Sequence, residues 1–482
     1  MDMDSATPHA LVVPALPPSH GVSCMRMARA LLAVGFDVSF IYFSSRPPPH
    51  HPKLHTIPTA SQDVYLPLAN DSGIDTYLVA DGIPPQHLTK PFFHTPAMSD
   101  NLLRLILHLQ QQGHPPTCLV SDSFVPWTAP VAQRAGIPRI EFWTANALAY
   151  LLNLNVPALC RANIFPEKVT GNAPPDWKSE SPFMLDCIPC LPPVSVELYP
   201  APVRFDKEPS QFRSLLKELC SSVEFSERIL IYTLSELEPD AFRGLQAMGI
   251  SAHAIAGPLI HYDFKIQEGQ EQGYNSGPAH ETKGNSSKEQ CLLWLDTQAE
   301  SSVIYVAFGT VANLSAKDVE ELALGLEASG NPFLWAIRDD SHVKPGLRGK
   351  GMVTSWAPQV KVLAHKAVGG FLTHCGWNST IESLWEGVPM LFCPQFGDQV
   401  SNMWCMCEMW GTGLEMKRTN NGGMERAYVE AGVKGLLQGE EGCRAKKRAE
   451  AMQEMVRAAC QQEGKSFCNL RKLYDDMKAL TM

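Results

Sequence analysis

Residues 356–399 read WAPQVKVLAHKAVGGFLTHCGWNSTIESLWEGVPMLFCPQFGDQ, and this stretch decides the fold. The run VGGFLTH is an apolar strand candidate. The cluster His374-Cys375-Gly376-Trp377-Asn378-Ser379 follows it, and a helical pattern begins behind the cluster. Strand, turn and helix in that order belong to a parallel α/β sheet, whose ligands bind at the carboxyl ends of the strands. Free backbone N–H groups and the helix dipole at Asn378 and Ser379 favour a diphosphate there. Gly376 allows close backbone approach, and His374 can donate to a phosphate oxygen. Glu382 lies three residues after Ser379 on the same helix face, where a carboxylate can accept both hydroxyls of a ribose. A plain connection capped by Asn or Ser accounts for Asn378 alone, but poorly for the whole cluster. Neither GxxxxGK[ST] nor GxGxxG is present, so ATP and dinucleotides lose support.

The same alternation extends in both directions. HALVVPAL reads as a strand, PPSHG as a turn, VSCMRMARALLAVG as a helix stopped at Gly35, and DVSFIYF as a strand. That is a βαβ unit. CLVSDSF, VPWTAPVAQRAG and IPRIEFWT repeat it, and ERILIYTLSELE gives a strand and a helix start. Residues 261–290 are polar, rich in Gly, Ser and Gln, and aperiodic, which is linker composition. Beyond them SSVIYVAFGT, PFLWAIR, GMVTSW, VGGFLTH and VPMLFCP are strands, AKDVEELALGLEASG is an amphipathic helix, and the chain from about Glu425 is helical and charged. The expected architecture is α/β, with two Rossmann-like domains facing across a cleft. Residues 1–255 form the first domain, 256–290 the linker, and 291–482 the second.

Composition narrows the class. The 482 residues exceed one ordinary core, and 45% hydrophobic with 19% charged residues is globular. A net charge of −10 implies no basic face, so neither nucleic acid nor an anionic membrane is an expected partner. The start lacks a signal-peptide pattern, and no apolar run is long enough for a membrane span. The fourteen cysteines are scattered, which fits reduced thiols and a cytoplasmic location. Cys187 and Cys190 form a lone CxxC among prolines, with no second pair at zinc spacing. His50, His51 and His55 lie in a proline-rich loop, and Cys405 and Cys407 look like buried helix positions.

The segment Trp356–Gln399 closely resembles the signature of plant family-1 UDP-sugar glycosyltransferases, over its full length. The resemblance implies the GT-B fold and roles for matching residues. Trp356, otherwise a plain core aromatic, would stack on uracil, with the main chain of Ala357 reading the base edge. Gln359 would lie near the ribose and Glu382 would bind it. Asp398 and Gln399 would hydrogen-bond the sugar. Gln rather than His at 399, and Trp rather than Arg at 377, favour UDP-glucose; these residues do not distinguish xylose. His20 matches the family's catalytic His, and Asp122 in VSDSF its partner. Thr144 aligns with a residue reaching the sugar, and Thr310 with a hydroxyl near the phosphates.

On chemistry alone, an acceptor hydroxyl needs a base near neutral pKa, and His suits. A loop His is nonetheless most often simply solvated, and Asp122 could instead cap the helix near Val125. The family role has Asp122 hold one His20 tautomer. Direct displacement with inversion follows. Helix-terminus donors then stabilise the leaving UDP in place of a metal, and no cofactor is expected. Phe124, Trp127, Phe396 and Gly397 could border a pocket for a small lipophilic, phenolic or flavonoid-like acceptor of plant secondary metabolism, though core packing explains each nearly as well. A monomer is expected. Ser19 and Cys190 depart from the family's glycines, and the segment between Trp335 and Trp356 is short. The competing readings are another UDP-sugar enzyme, such as an epimerase or hydrolase, and a non-catalytic UDP-sugar-binding protein.

Overall fold

The computed structural model describes residues 7–44, 65–71, 73–83, 94–165, 183–200, 203, 211–257, 259–261, 284–309, 314–338, 351–419, 422–461 and 463–481. The chain divides into two compact units. One comprises Met1–Val196, Ala201–Pro278 and Ala459–Met482, and the other Glu197–Pro200 and Ala279–Ala458. Each is a parallel-sheet α/β unit, the Rossmann-like class the sequence implied. His50, His51, His55 and Thr310 lie outside the described residues.

The first unit runs β1 (His9–Val13), α1 (Pro18–Ala33), β2 (Asp37–Phe43), β3 (Tyr65–Asp71), β4 (Ile74–Val79), α2 (Pro96–Gln111), β5 (Cys118–Asp122), α3 (Thr128–Ala135), β6 (Arg139–Trp143) and α4 (Ala147–Arg161). A short hairpin follows, β7 (Met184–Leu185) and β8 (Val194–Ser195). Then come α5 (Gln211–Ser222), β9 (Arg228–Ile231), α6 (Pro239–Ala247) and β10 (Ala252–Ala254). The sheet order is β10-β9-β6-β5-β1-β2-β4-β3. Its pairings are parallel except β3 with β4. Every residue of β1, β5 and β6 is buried, as a strand covered on both faces requires. Leu102, Leu105, Ile106 and Leu109 of α2 pack with Leu11, Ile41 and Leu119 in one cluster, each such side chain contributing about 1.5–3 kcal/mol by burial.

Two local features differ from the sequence reading. PPSHG is not a free turn: Pro17 is the N-cap and Pro18 opens α1, since a proline's fixed φ and missing N–H suit a first helical turn. The β3–β4 hairpin was not anticipated. The CxxC segment lies in the β7–β8 connection, where the Leu191 N–H donates to the Ile188 carbonyl at 3.3 Å. Cys190 sits in that turn at φ +60°. That is the left-handed region a glycine occupies without strain, so the cysteine in place of the family's glycine carries a backbone cost.

The second unit runs α7 (Gly284–Asp296), β11 (Val303–Ala307), α8 (Ala316–Ser329), β12 (Phe333–Ala336), β13 (Gly351–Thr354), α9 (Gln359–Leu363), β14 (Val368–Thr373) and α10 (Trp377–Glu386). Next are β15 (Met390–Phe392), α11 (Gln399–Trp404), a π-helical turn over Cys405–Met409, β16 (Gly413–Glu415), α12 (Arg426–Gln438) and α13 (Glu440–Ala459). Its sheet order is β13-β12-β11-β14-β15-β16, and every pairing is parallel. Ser315 caps α8 by accepting from the Asp318 N–H at 3.1 Å. Val319, Leu322 and Leu326 then pack with Val429, Val433 and Leu436 of α12. The strand glycine Gly370 serves that contact, since a Cβ there would meet Leu436 at 2.6 Å. Cys405 is buried, as expected, and Cys407 half-buried.

The linker and the last helix also differ from expectation. Residues 262–283 lie outside the described residues, and α7 already begins at Gly284. The helix α14 (Lys465–Ala479) belongs to the first unit, whereas the sequence reading carried the second domain to 482. Phe467, Leu470, Leu473 and Met477 are its buried stripe. The Asn469 amide donates to the Ala254 carbonyl at 2.9 Å, and Tyr474 meets Phe36 edge-on at 5.3 Å.

Candidate active site

Each sheet reverses its order at its centre, and each of these reversals carries residues the sequence singled out. In the first unit β1 leads through α1 to β2 on one side, while its other neighbour β5 leads through α3 to β6. Chain segments leaving adjacent strands in opposite directions open a crevice at the strands' carboxyl ends. His20 is in the first turn of α1 and Asp122 is the last residue of β5, so the crevice brings them together. His20 Nδ1 lies 2.7 Å from Asp122 Oδ2, and the side chains are 15% and 0% exposed. Asp122 does not cap α3, whose start carries no side-chain cap. Its Oδ1 accepts from the Phe124 N–H at 2.8 Å, fixing the carboxylate in a turn. The buried Cys24 thiol lies 3.9 Å from Oδ2, and burial and the Asp122 charge hold it well above the usual thiol range.

This arrangement settles the tautomer chemically. Asp122 accepts from Nδ1–H, which leaves Nε2 as the proton-accepting nitrogen. Thr144, just beyond β6, has its hydroxyl 3.2 Å from the same Nδ1. Its contact in this structure is therefore with the imidazole. Phe124 meets His20 edge-on at 5.3 Å and stacks on Trp143 at 5.3 Å. Phe212 of α5 stacks on Phe124 at 6.3 Å. Sequence reasoning did not single out Phe212, because nothing local marks a residue that reaches the site from a distant helix. Trp127, by contrast, is a core residue: it is 8% exposed and stacks on His94 at 4.9 Å. The loop between β6 and α4 is firmly held. Asn146 accepts from the Ala149 N–H at 2.7 Å. The buried Glu238 accepts from the Ala147 and Leu148 N–H groups, both at 2.9 Å.

In the second unit the order reverses between β11 and β14. His374 follows β14 there. Its ring is packed against two glycines: a Cβ at Gly376 would lie 2.4 Å from Nε2, and one at Gly309 would lie 2.7 Å from it. His374 Nδ1 is buried and makes no well-formed hydrogen bond among the described residues. Burial pushes the imidazole down to about 4, with the Ala307 carbonyl pulling weakly the other way. His374 is therefore neutral near pH 7, with one N–H to donate. Cys375 turns the chain at φ +67°, and α10 starts immediately behind it. Its N-cap is Gly376, with no side-chain cap and no acidic residue in the first turn. Asn378 and Ser379 are thus interior positions of the first turn, not caps. A helix start without a side-chain cap is the kind of place where backbone N–H groups and the helix dipole favour an anion.

The residues that the sequence assigned to the nucleoside are wired to one another. Gln359, first in α9, donates to Ser379 Oγ at 3.0 Å and to Glu382 Oε2 at 2.8 Å. The Tyr305 hydroxyl donates to its Oε1 at 3.3 Å. Gln359 so spends both amide hydrogens on orienting Ser379 and Glu382, and the Ser379 oxygen, as acceptor, keeps its own hydrogen to donate. Trp356 is half-buried just after β13, and its carbonyl accepts from the Thr354 hydroxyl at 2.9 Å. Ala357 is 6% exposed and Trp377 4%. At the end of the segment Gly397 turns at φ +67°. Gln399 Oε1 accepts from the Gln395 and Phe396 N–H groups at 2.7 and 3.0 Å, which fixes the orientation of its amide. Asp398 Oδ2 accepts from Asn402 at 2.7 Å, and Phe396 is exposed.

Comparison with known proteins speaks to the family and the fold. A family model described as UDP-glucoronosyl and UDP-glucosyl transferase matches residues 277–442. UDP-glycosyltransferase 85A1 of Arabidopsis thaliana is 31% identical over 489 residues, covering 97% of this chain and 95% of that protein. The scopoletin glucosyltransferase of Nicotiana tabacum is 33% identical over 416 residues, covering 82% and 81%. Among solved structures, UGT2 of Phytolacca americana, complexed with UDP-2fluoro-glucose and pterostilbene, superposes with a TM-score of 0.76 at 24% identity, covering 98% of this chain and all of that one. At that identity the likeness speaks for the fold, and the fold is that of the GT-B glycosyltransferases.

Proposed function

The chain belongs to the plant family-1 UDP-glycosyltransferases, and from that premise we propose that it transfers glucose from UDP-glucose, with inversion, to a hydroxyl of a small lipophilic acceptor of the phenolic class. The acceptor oxygen attacks the anomeric carbon, its proton passes to His20 Nε2, and the bond to the diphosphate breaks with its electrons leaving on UDP. Asp122 holds the imidazole in the accepting tautomer and stabilises the imidazolium. The α10 N–H groups, with His374, Asn378 and Ser379, take the charge that develops on the leaving diphosphate. Trp356 and Ala357 hold the base, and Glu382, oriented by Gln359, the ribose. Asp398 and Gln399 hold the sugar hydroxyls, with Trp377 as an uncharged wall. Thr144, and Thr310 outside the described residues, serve the sugar and the phosphates. The reaction needs no metal, because fixed donors already stand at the leaving group. Phe124 gives a flat acceptor an aromatic neighbour beside the base, and Phe396 and Gly397 lie beside the sugar residues.

One observation carries this reading: the 2.7 Å contact between His20 Nδ1 and the fully buried Asp122. A non-catalytic UDP-sugar-binding protein has no need of a base held in one tautomer. Phenolic acceptors incubated with UDP-glucose, read by mass shift, should gain one hexose, and a chelator should not slow the gain. Free glucose without acceptor, or rescue of a chelated enzyme by magnesium or manganese, would overturn it. The donor residues make a separate expectation. A glucuronate carboxylate would face Asp398 unpaired, which is costly in a dry site. UDP-glucose should therefore outcompete UDP-glucuronate in a mixed-donor assay.

A further inference from the structure

Asn402 lies outside the signature segment, on α11, and is fully buried. Its amide spends both hydrogens on two separate parts of the second unit's crevice. One goes to the carbonyl of Cys375 at 2.9 Å, the other to Asp398 Oδ2 at 2.7 Å. Cys375 is the left-handed residue that turns β14 into α10, so its peptide plane sets where the uncapped N–H groups point. Asp398 opens α11 from the far side, and its own cap position makes no side-chain cap bond. Asn402 Oδ1, meanwhile, is buried and accepts from nothing among the described residues. A buried acceptor without a partner is costly. An apolar residue of the same size would avoid that cost, but it would leave the Cys375 carbonyl and the Asp398 carboxylate without this donor.

We propose that Asn402 is a positioning residue of the donor site, clamping the turn that presents the diphosphate donors to the carboxylate that receives the sugar. The proposal rests on the donor-site reading above. Its consequence is a graded one. The clamp touches nothing assigned to the nucleoside, one element assigned to the diphosphate, and one assigned to the sugar. Losing it should hardly affect UMP, weaken UDP moderately, and weaken UDP-glucose most.

The test is calorimetric binding of UMP, UDP and UDP-glucose to the full chain with Asn402→Ala. UMP affinity should stay within about twofold, while UDP-glucose affinity should fall roughly ten- to a hundred-fold, as expected for lost bonds to a strained turn and a charged group. UDP should fall in between. Partial misfolding lowers the number of sites, not the affinity, so it cannot imitate the gradient. Should Asn402→Ala fold poorly, Asn402→Ser keeps one donor and should show the same order with smaller steps. Equal losses for all three ligands, or none, would overturn the clamp. Asp398→Ala separates the two readings. If it weakens UDP-glucose relative to UDP while Asn402→Ala does not, the clamp is wrong. If Asp398→Ala leaves that ratio unchanged, the sugar assignment itself is wrong.

Discussion

The two sheet reversals of this chain solve opposite problems with the same topology. In the first unit the histidine is satisfied: His20 Nδ1 has Asp122 and Thr144 on it, and the nearby α4 N-terminus is filled by Asn146 and Glu238. In the second unit the histidine is held more loosely. Among the described residues His374 Nδ1 is buried without a well-formed bond, the Ala307 carbonyl acting only weakly on the ring, and the α10 N-terminus has no side-chain cap. A base must be held in one tautomer and keep one nitrogen open. An anion site must keep its donors unspent until the anion arrives. The difference teaches that helix starts at two sheet reversals can be finished differently, one with side-chain acceptors on its first N–H groups and one with a glycine N-cap that offers none.

The largest expected effect breaks the comparison at the first crevice. His20→Ala should lower turnover by about 10³-fold or more and leave UDP affinity unchanged, because the base stands in the other unit from the donor residues. Rates with saturating donor, alongside UDP titration, check this, and near-normal turnover would sink the base assignment. Asp122→Asn should cost a factor of about 10²–10⁴ in turnover through the wrong tautomer, again with donor affinity kept. A variant that fails to fold would instead mark Asp122 as a structural turn residue.

The second crevice answers to space. At Gly376→Ala the new Cβ would have to displace the His374 ring. UDP affinity should fall roughly tenfold, about the worth of one displaced charge-assisted hydrogen bond, with the folding midpoint little changed. Unaltered UDP binding would mean that His374 does not contact the diphosphate.

A smaller effect concerns pH. His374 is neutral in the folded protein down to about 4, while in the unfolded chain it takes a proton near 6.5. Between those values the unfolded state binds more protons, so this stabilising contribution is full above about 6.5 and is lost as pH falls toward 4. His374→Gln should flatten that part of the stability–pH curve, measured by urea midpoints at several pH values, and an unchanged curve would mean that His374 takes up its proton equally in both states. The smallest effect is a control outside both crevices. Cys190→Gly should raise stability by about 1 kcal/mol by relieving the left-handed turn, with kinetic constants unchanged. A loss of activity would tie that hairpin to the reaction.

Much of this was legible along the chain because it is local. β2 at Asp37–Phe43 and β14 at Val368–Thr373 announce themselves as apolar runs, and α8 by its 3.6-residue period and its end at Gly330. The cluster at 374–379 is legible because strand end, turn and helix start are consecutive, so their chemistry is contiguous in sequence. The boundaries were less legible. PPSHG reads as a turn in sequence, yet Pro18 opens α1, since a helix start accepts proline. That α14 packs in the first unit follows from which apolar stripe finds a partner, and no local pattern carries that.

The sequence by itself determined the class of sheet, the donor segment, and the residue types needed for a base and for an anion site. Each follows from short-range periodicity and from chemistry carried within a few residues. Only the tertiary structure decided which groups are already spent. It placed His20 of α1 2.7 Å from Asp122 of β5 across 102 residues, and set Phe212 on Phe124. It also spent Gln359 on Ser379 and Glu382, and used Asn402 to tie Cys375 to Asp398. Hydrogen-bond satisfaction depends on atoms brought within about 3 Å by strand order, and strand order pairs segments whose separation along the chain leaves no mark on either.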